Sequence, residues 1–119
     1  MILVDTSVWV QHLRLGTSRL VTLLEETTVL THPFVIGEIA LGQLEPRQEI
    51  LGLLADLPGL ELATDDEVLT LIDRRGLAGC GIGWIDAHLL AAALVQDVPL
   101  WTLDRRLEAV ASQHGLTPS

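Results

Sequence analysis

The sequence predicts an α/β fold: one domain over residues 1–119, with a central parallel sheet of about four to five short strands flanked by helices. Three observations predict it. Short aliphatic runs alternate with helix-length amphipathic segments, and no Asn-Gly or Asp-Gly hairpin signal joins one run to the next. The apolar residues are mostly Leu, Val, Ile and Ala, a mixture suited to helices packed on a sheet buried on both faces. Two of the aliphatic runs end directly in aspartate.

The elements follow in order. Ile2-Leu3-Val4 reads as a buried strand stopped by Asp5-Thr6-Ser7. Residues 8–15 are helical and end at Gly16. Ser18 is expected to cap a second helix through Glu26. Residues 28–31 form a second strand, and Pro33 opens a helix expected to reach Leu44. Pro46 opens another to Asp56, Pro58-Gly59 turns the chain, and residues 60–63 are expected to be a third strand. Thr64-Asp65-Asp66-Glu67 is the acidic first turn of a helix reaching Arg75. Residues 76–83 contain four glycines and form a loop, read either as a connection or as a flap over substrate. A helix follows from Trp84 or Ile85 to Gln96, then a fourth strand at residues 100–103. Asp104 caps a last helix that frays near His114-Gly115.

Length and composition bound the function. The chain has 119 residues and 49% hydrophobic content, enough to bury a core without disulfides. Its one cysteine, Cys80, excludes an intrachain disulfide and a Cys-based zinc cluster, and reads as a packing residue. The start Met1-Ile2-Leu3-Val4 is too short and uncharged for a signal peptide, and no apolar run approaches the roughly 20 residues of a membrane span, so a cytoplasmic location is expected. The formal charge is −9, and all seven basic residues are arginine. So acidic a chain repels a polyanion unless a site gathers cations.

Four acids stand where such a site would lie. Parallel α/β sheets place their sites at the carboxyl ends of the strands, where Asp5 and Asp104 fall. Glu38 lies mid-helix, expected on an apolar stripe with Phe34, Val35 and Leu41, and Asp86 lies among Leu89, Leu90 and Ala93. A charge on a core-facing stripe must be paired, neutral or bound to a cation. Each acid also has a plainer reading. Asp5, Asp86 and Asp104 all stand at helix starts, where an acid caps the helix or answers its dipole; Glu38 has no such role. Two carboxylates about 5 Å apart at an effective dielectric of about 20 repel by roughly 3 kcal/mol, so four in one pocket call for protons or a divalent cation. An all-carboxylate donor set suits Mg²⁺ or Mn²⁺ better than zinc.

The segments Ile2-Leu3-Val4-Asp5-Thr6-Ser7-Val8-Trp9, the mid-helix Glu38, Asp86-Ala87-His88-Leu89-Leu90-Ala91-Ala92-Ala93 and Leu100-Trp101-Thr102-Leu103-Asp104 together resemble a PIN domain, and in size and spacing a VapC-type toxin of a toxin–antitoxin pair. The resemblance covers essentially the whole chain. It implies that Asp5, Glu38, Asp86 and Asp104 are the catalytic, metal-binding acids of an Mg²⁺/Mn²⁺-dependent endoribonuclease. Thr102 matches the hydroxyl residue two positions before the last acid; Ser7 either supports the metal shell or caps the helix. The resemblance also implies an RNA substrate, a cognate antitoxin and a homodimer. His12, His32, His88 and His114 are assigned no chemistry. Arg74-Arg75 and Arg105-Arg106 are read either as phosphate contacts or as solvated or partner-facing surface. The alternative is a PIN-like binding or regulatory protein without activity. A receiver domain would require a lysine that this chain lacks, and a haloacid-dehalogenase-like phosphatase would require an acid where Ser7 stands.

Overall fold

A computed structural model describes residues 1–118. The elements run β1 (Ile2–Val4), α1 (Thr6–Leu15), α2 (Ser18–Glu25), β2 (Val29–Leu30), α3 (Pro33–Ala40), α4 (Arg47–Asp56), α5 (Asp65–Arg75), α6 (Trp84–Gln96), β3 (Leu100–Trp101) and α7 (Arg105–Gln113). The sheet is parallel, in the order β2-β1-β3, with Leu3 opposite both Leu30 and Leu100. Among the described residues it has three strands rather than four or five. Residues 60–63 do not form the expected strand. Only one bridge, Thr31 to Gly59, remains, made by Thr31 N–H to the Pro58 carbonyl and Leu60 N–H to the Thr31 carbonyl. The ladder cannot lengthen there, because the chain beyond Thr31 turns into α3 and Pro33 has no N–H to offer.

The core sits on both faces of β1. Leu3, Val4, Val8, Leu20, Leu89, Leu90 and Leu100 are buried. Helix α6 is the central prop: Ala87 through Ala93 are all buried, and its alanines let neighbouring elements approach closely. Helix α5 has both halves of a capping box, with Glu67 N–H on the Thr64 hydroxyl and Thr64 N–H on the Glu67 carboxylate, and ends on Gly76 at φ +63°.

Several helix ends differ from expectation: α1 begins at Thr6 rather than residue 8, and α2 ends at Glu25 rather than Glu26. Helix α3 stops at Ala40 rather than Leu44, because the Arg47 guanidinium reaches back to the Ala40 carbonyl at 2.6 Å and the Gly42 carbonyl at 3.2 Å, satisfying carbonyls that a longer helix would have used. Ser18 is the first residue of α2 rather than its cap; Thr17 holds that position, with its own N–H on His12 Nδ1 at 3.0 Å. Cys80 is half-buried against the core, with its sulfur 3.6 Å from the Gly76 carbonyl. No helix among the described residues is long and apolar enough to cross a membrane.

An aromatic row runs from the buried His32 out to the surface at Trp84. The His32 and Phe34 rings are 5.2 Å apart, Phe34 and His88 4.8 Å, and His88 and Trp84 4.8 Å, all edge to face. His32 is fully buried; its Nδ1 accepts from Phe34 N–H and caps α3, while Nε2 has no partner. Burial, and secondarily the nearby His88, pushes the His32 imidazole down to about 4. A neutral ring in the fold and an ordinary one in the unfolded chain give stability that is complete above pH 6.5 and is lost as pH falls toward 4, by roughly 3 kcal/mol. Denaturant titrations across that range should show the loss. The His32→Asn variant, which keeps a capping acceptor, should lack it.

Candidate active site

The site forms where β1 and β3 deliver their carboxyl ends side by side. Asp5 N–H donates to the Trp101 carbonyl at 2.9 Å, so the sheet ladder itself sets the Asp5 backbone against β3. The Asp5 side chain is buried and caps α1. One of its oxygens, Oδ2, accepts from the Ser7 hydroxyl at 2.7 Å, the Thr102 hydroxyl at 2.7 Å and, more weakly, Ser7 N–H at 3.4 Å. The other oxygen, Oδ1, takes no hydrogen bond among the described residues.

Ser7 and Thr102 extend this network to the last acid. Thr102 Oγ1 accepts from Asp104 N–H at 3.0 Å, and Ser7 Oγ accepts from Leu103 N–H at 2.9 Å. Each hydroxyl therefore donates to Asp5 and accepts from the backbone that leads into α7. Asp104 caps α7 through Oδ1, which accepts from Arg106 and Leu107 N–H at 3.0 Å each, leaving Oδ2 without a hydrogen bond. Replacing Thr102 by Val strips a donor from a buried carboxylate and an acceptor from a backbone amide. The expected cost is about 1–3 kcal/mol in equilibrium unfolding.

Asp86 enters from the first turn of α6, where its carboxylate accepts from Gly83 N–H at 3.5 Å. Its carboxyl is pushed above the ordinary range, first by burial and then by the charges of Asp5, Asp104 and Glu38, which outweigh the Gly83 hydrogen bond. The four acids thus bear on one region, although they come from four separate elements. Glu38 is placed differently from the sequence expectation. Val35 and Ile39 make the buried face of α3, while Glu38 is exposed at the rim, and Leu41 points to solvent. What fixes Glu38 is Thr6, whose hydroxyl donates to its carboxylate at 2.7 Å. That link across 32 residues has no local signature in the sequence.

Among the described residues no three His, Cys, Asp or Glu side chains are drawn close enough to hold a metal ion as they stand. The donor set nevertheless fits a hard cation: every candidate ligand atom is a carboxylate oxygen, and Asp5 and Asp104 each keep one oxygen outside the hydrogen-bond network. His88 is fully buried on α6, with Nε2 3.3 Å from Asp65 Oδ1.

The chain matches the PIN domain family over residues 2–113. It is also 50% identical over 117 residues, 98% of this chain and 94% of the relative, to proteins named Ribonuclease VapC32 from two strains of Mycobacterium tuberculosis, CDC 1551 / Oshkosh and ATCC 25618 / H37Rv. The chain therefore belongs to the PIN-domain family, among its VapC-type members.

Proposed function

We propose that this protein is an endoribonuclease and the toxin of a toxin–antitoxin pair, hydrolysing RNA phosphodiesters at the Asp5–Glu38–Asp86–Asp104 cluster with Mg²⁺ or Mn²⁺. The observation that carries this reading is the hydroxyl-braced Asp5 at the end of the central strand, whose charge bears on Asp86 together with those of Asp104 and Glu38. The name Ribonuclease VapC32 on relatives that share half its residues supports the same reaction class.

Asp5, Asp86, Asp104 and Glu38 would hold the cation. Once bound, it supplies a Lewis acid for a phosphate oxygen and lowers the pKa of water. The protein's own groups do the positioning. Ser7 and Thr102 lock one Asp5 oxygen and leave the other outside that network, and Thr6 tethers Glu38. The cation also reconciles a −9 chain with a polyanionic substrate, because it turns an acidic pocket into a phosphate receptor. A cognate antitoxin, a second copy of the chain as homodimer partner and a cytoplasmic location complete the proposal. Incubating the protein with a mixed pool of small RNAs and Mg²⁺ or Mn²⁺ tests it: defined cuts that EDTA abolishes are expected, and an RNA pool left intact under all conditions would refute it.

A further inference from the structure

We infer that the glycine-rich loop of residues 76–83, together with Trp84 and Arg106, forms a subsite for one nucleotide of a single-stranded RNA next to the acid cluster: Trp84 stacks on the base and Arg106 holds a phosphate. The inference rests on the RNA-cleaving reading above.

Four observations carry it. Trp84 is 42% exposed, whereas Trp9 is buried and Trp101 lies beneath the Arg19 guanidinium, 4.7 Å from its ring centroid. The exposed Trp84 indole stands in the first turn of α6, the turn that also carries Asp86, and offers a stacking surface. Trp84 also forms one wall of an open cleft of about 210 Å³ whose other walls are Ile72, Leu77, Ile82 and the backbone around Gly79. Apolar walls with exposed peptide groups suit a flat heterocycle with a polar edge.

The third observation is Arg106. It lies in the first turn of α7, where a cation opposes the helix dipole, and it makes no ion pair among the described residues. Its place there does nothing for the helix, yet puts a free guanidinium two residues from Asp104. The fourth ties Arg106 to the loop. At Gly81, whose φ is +81°, a Cβ would stand 2.8 Å from Arg106 Cδ and 3.1 Å from Nη1. The glycine thus lets the arginine side chain lie flat along the loop that leads to Trp84. Arg106 follows Asp104 by two residues, and the loop its side chain lies against leads through Trp84 into the α6 turn that carries Asp86. On a chain of net charge −9, this arginine offers a phosphate contact beside the loop.

The test uses the Asp5→Asn protein in Mg²⁺ at low salt, so that binding is read without cleavage. The probes are a short oligouridylate and an abasic oligomer of the same length. Tryptophan fluorescence should be quenched by the oligouridylate and not by the abasic oligomer. Trp84→Phe should abolish the quench while still binding labelled RNA by anisotropy, and thermal melting should show the Phe ring still packed. Trp84→Leu should weaken binding by roughly 5- to 100-fold, and in the active protein the change should fall on KM rather than kcat. Arg106→Gln should lower the slope of log affinity against log salt by about 0.7. Equal affinity for both oligomers, a quench that survives in Trp84→Phe, an unchanged salt slope or no binding at all would overturn the subsite. Base-dependent quenching alongside an active-form protein that cuts no RNA would keep the subsite and refute the hydrolytic reading instead.

Discussion

The Asp5→Asn variant should lose at least about 100-fold in RNA cleavage, beyond the 10- to 100-fold usual for removing a group that only orients a metal ligand. Asn keeps the size and one acceptor oxygen, so Ser7 and Thr102 can still donate to it and α1 keeps its cap. What the substitution removes is the negative charge. A folding defect would therefore be small and a catalytic defect large. Measuring kcat/KM beside the melting temperature separates the two. A variant that cuts as well as the parent would remove Asp5 from the chemistry.

Asp86→Asn should produce the opposite pair of effects: cleavage falls by a similar factor while the metal-free fold becomes more stable. Burial and three neighbouring acids raise the Asp86 carboxyl above its ordinary value. Its folded form therefore favours the proton, and the penalty for ionising it appears once pH rises above the unfolded value of 3.8 and persists at neutrality. Asn carries no such penalty. The gain in melting temperature should be present at pH 7 and shrink as pH falls below 4, where both side chains are neutral. Adding Mn²⁺ should reverse the order, stabilising the parent by mass action more than the variant. An Asp86→Asn protein no more stable than the parent at pH 7 without metal would show that the four charges do not repel as argued.

Most of the fold was legible because its signals are local. Ile2-Leu3-Val4 halted by Asp5 reads as a strand end without any partner in view, and Gly83 before an Ala- and Leu-rich run marks the start of α6. Residues 60–63 misled because an apolar run carries no information on whether a neighbouring strand is long enough to pair with it; β2 is only two residues long. Glu38 shows the same limit. Periodicity places it beside Phe34 and Leu41, but which of those residues face the core is decided by α1 and α4 packing against α3, and the structure leaves Leu41 in solvent.

The acids of the site could be picked out one by one, each by its conflict with its surroundings or its place after a strand. Their bracing could not. Thr102 to Asp5 spans 97 residues and Leu103 to Ser7 spans 96, and no spacing rule links them before the parallel β1–β3 pairing is known. The reason Thr102 precedes Asp104 by two is visible only in three dimensions: its hydroxyl serves Asp5 and the Asp104 amide at once.

The most direct test of the central claim, that these four carboxylates form one cation site, is a Mn²⁺ binding titration on the parent protein and on Asp5→Asn, Glu38→Gln, Asp86→Asn and Asp104→Asn. The account predicts saturable binding by the parent and affinity lowered more than about 10-fold in every variant. Binding that is the same in all five proteins, or absent from the parent, would contradict it.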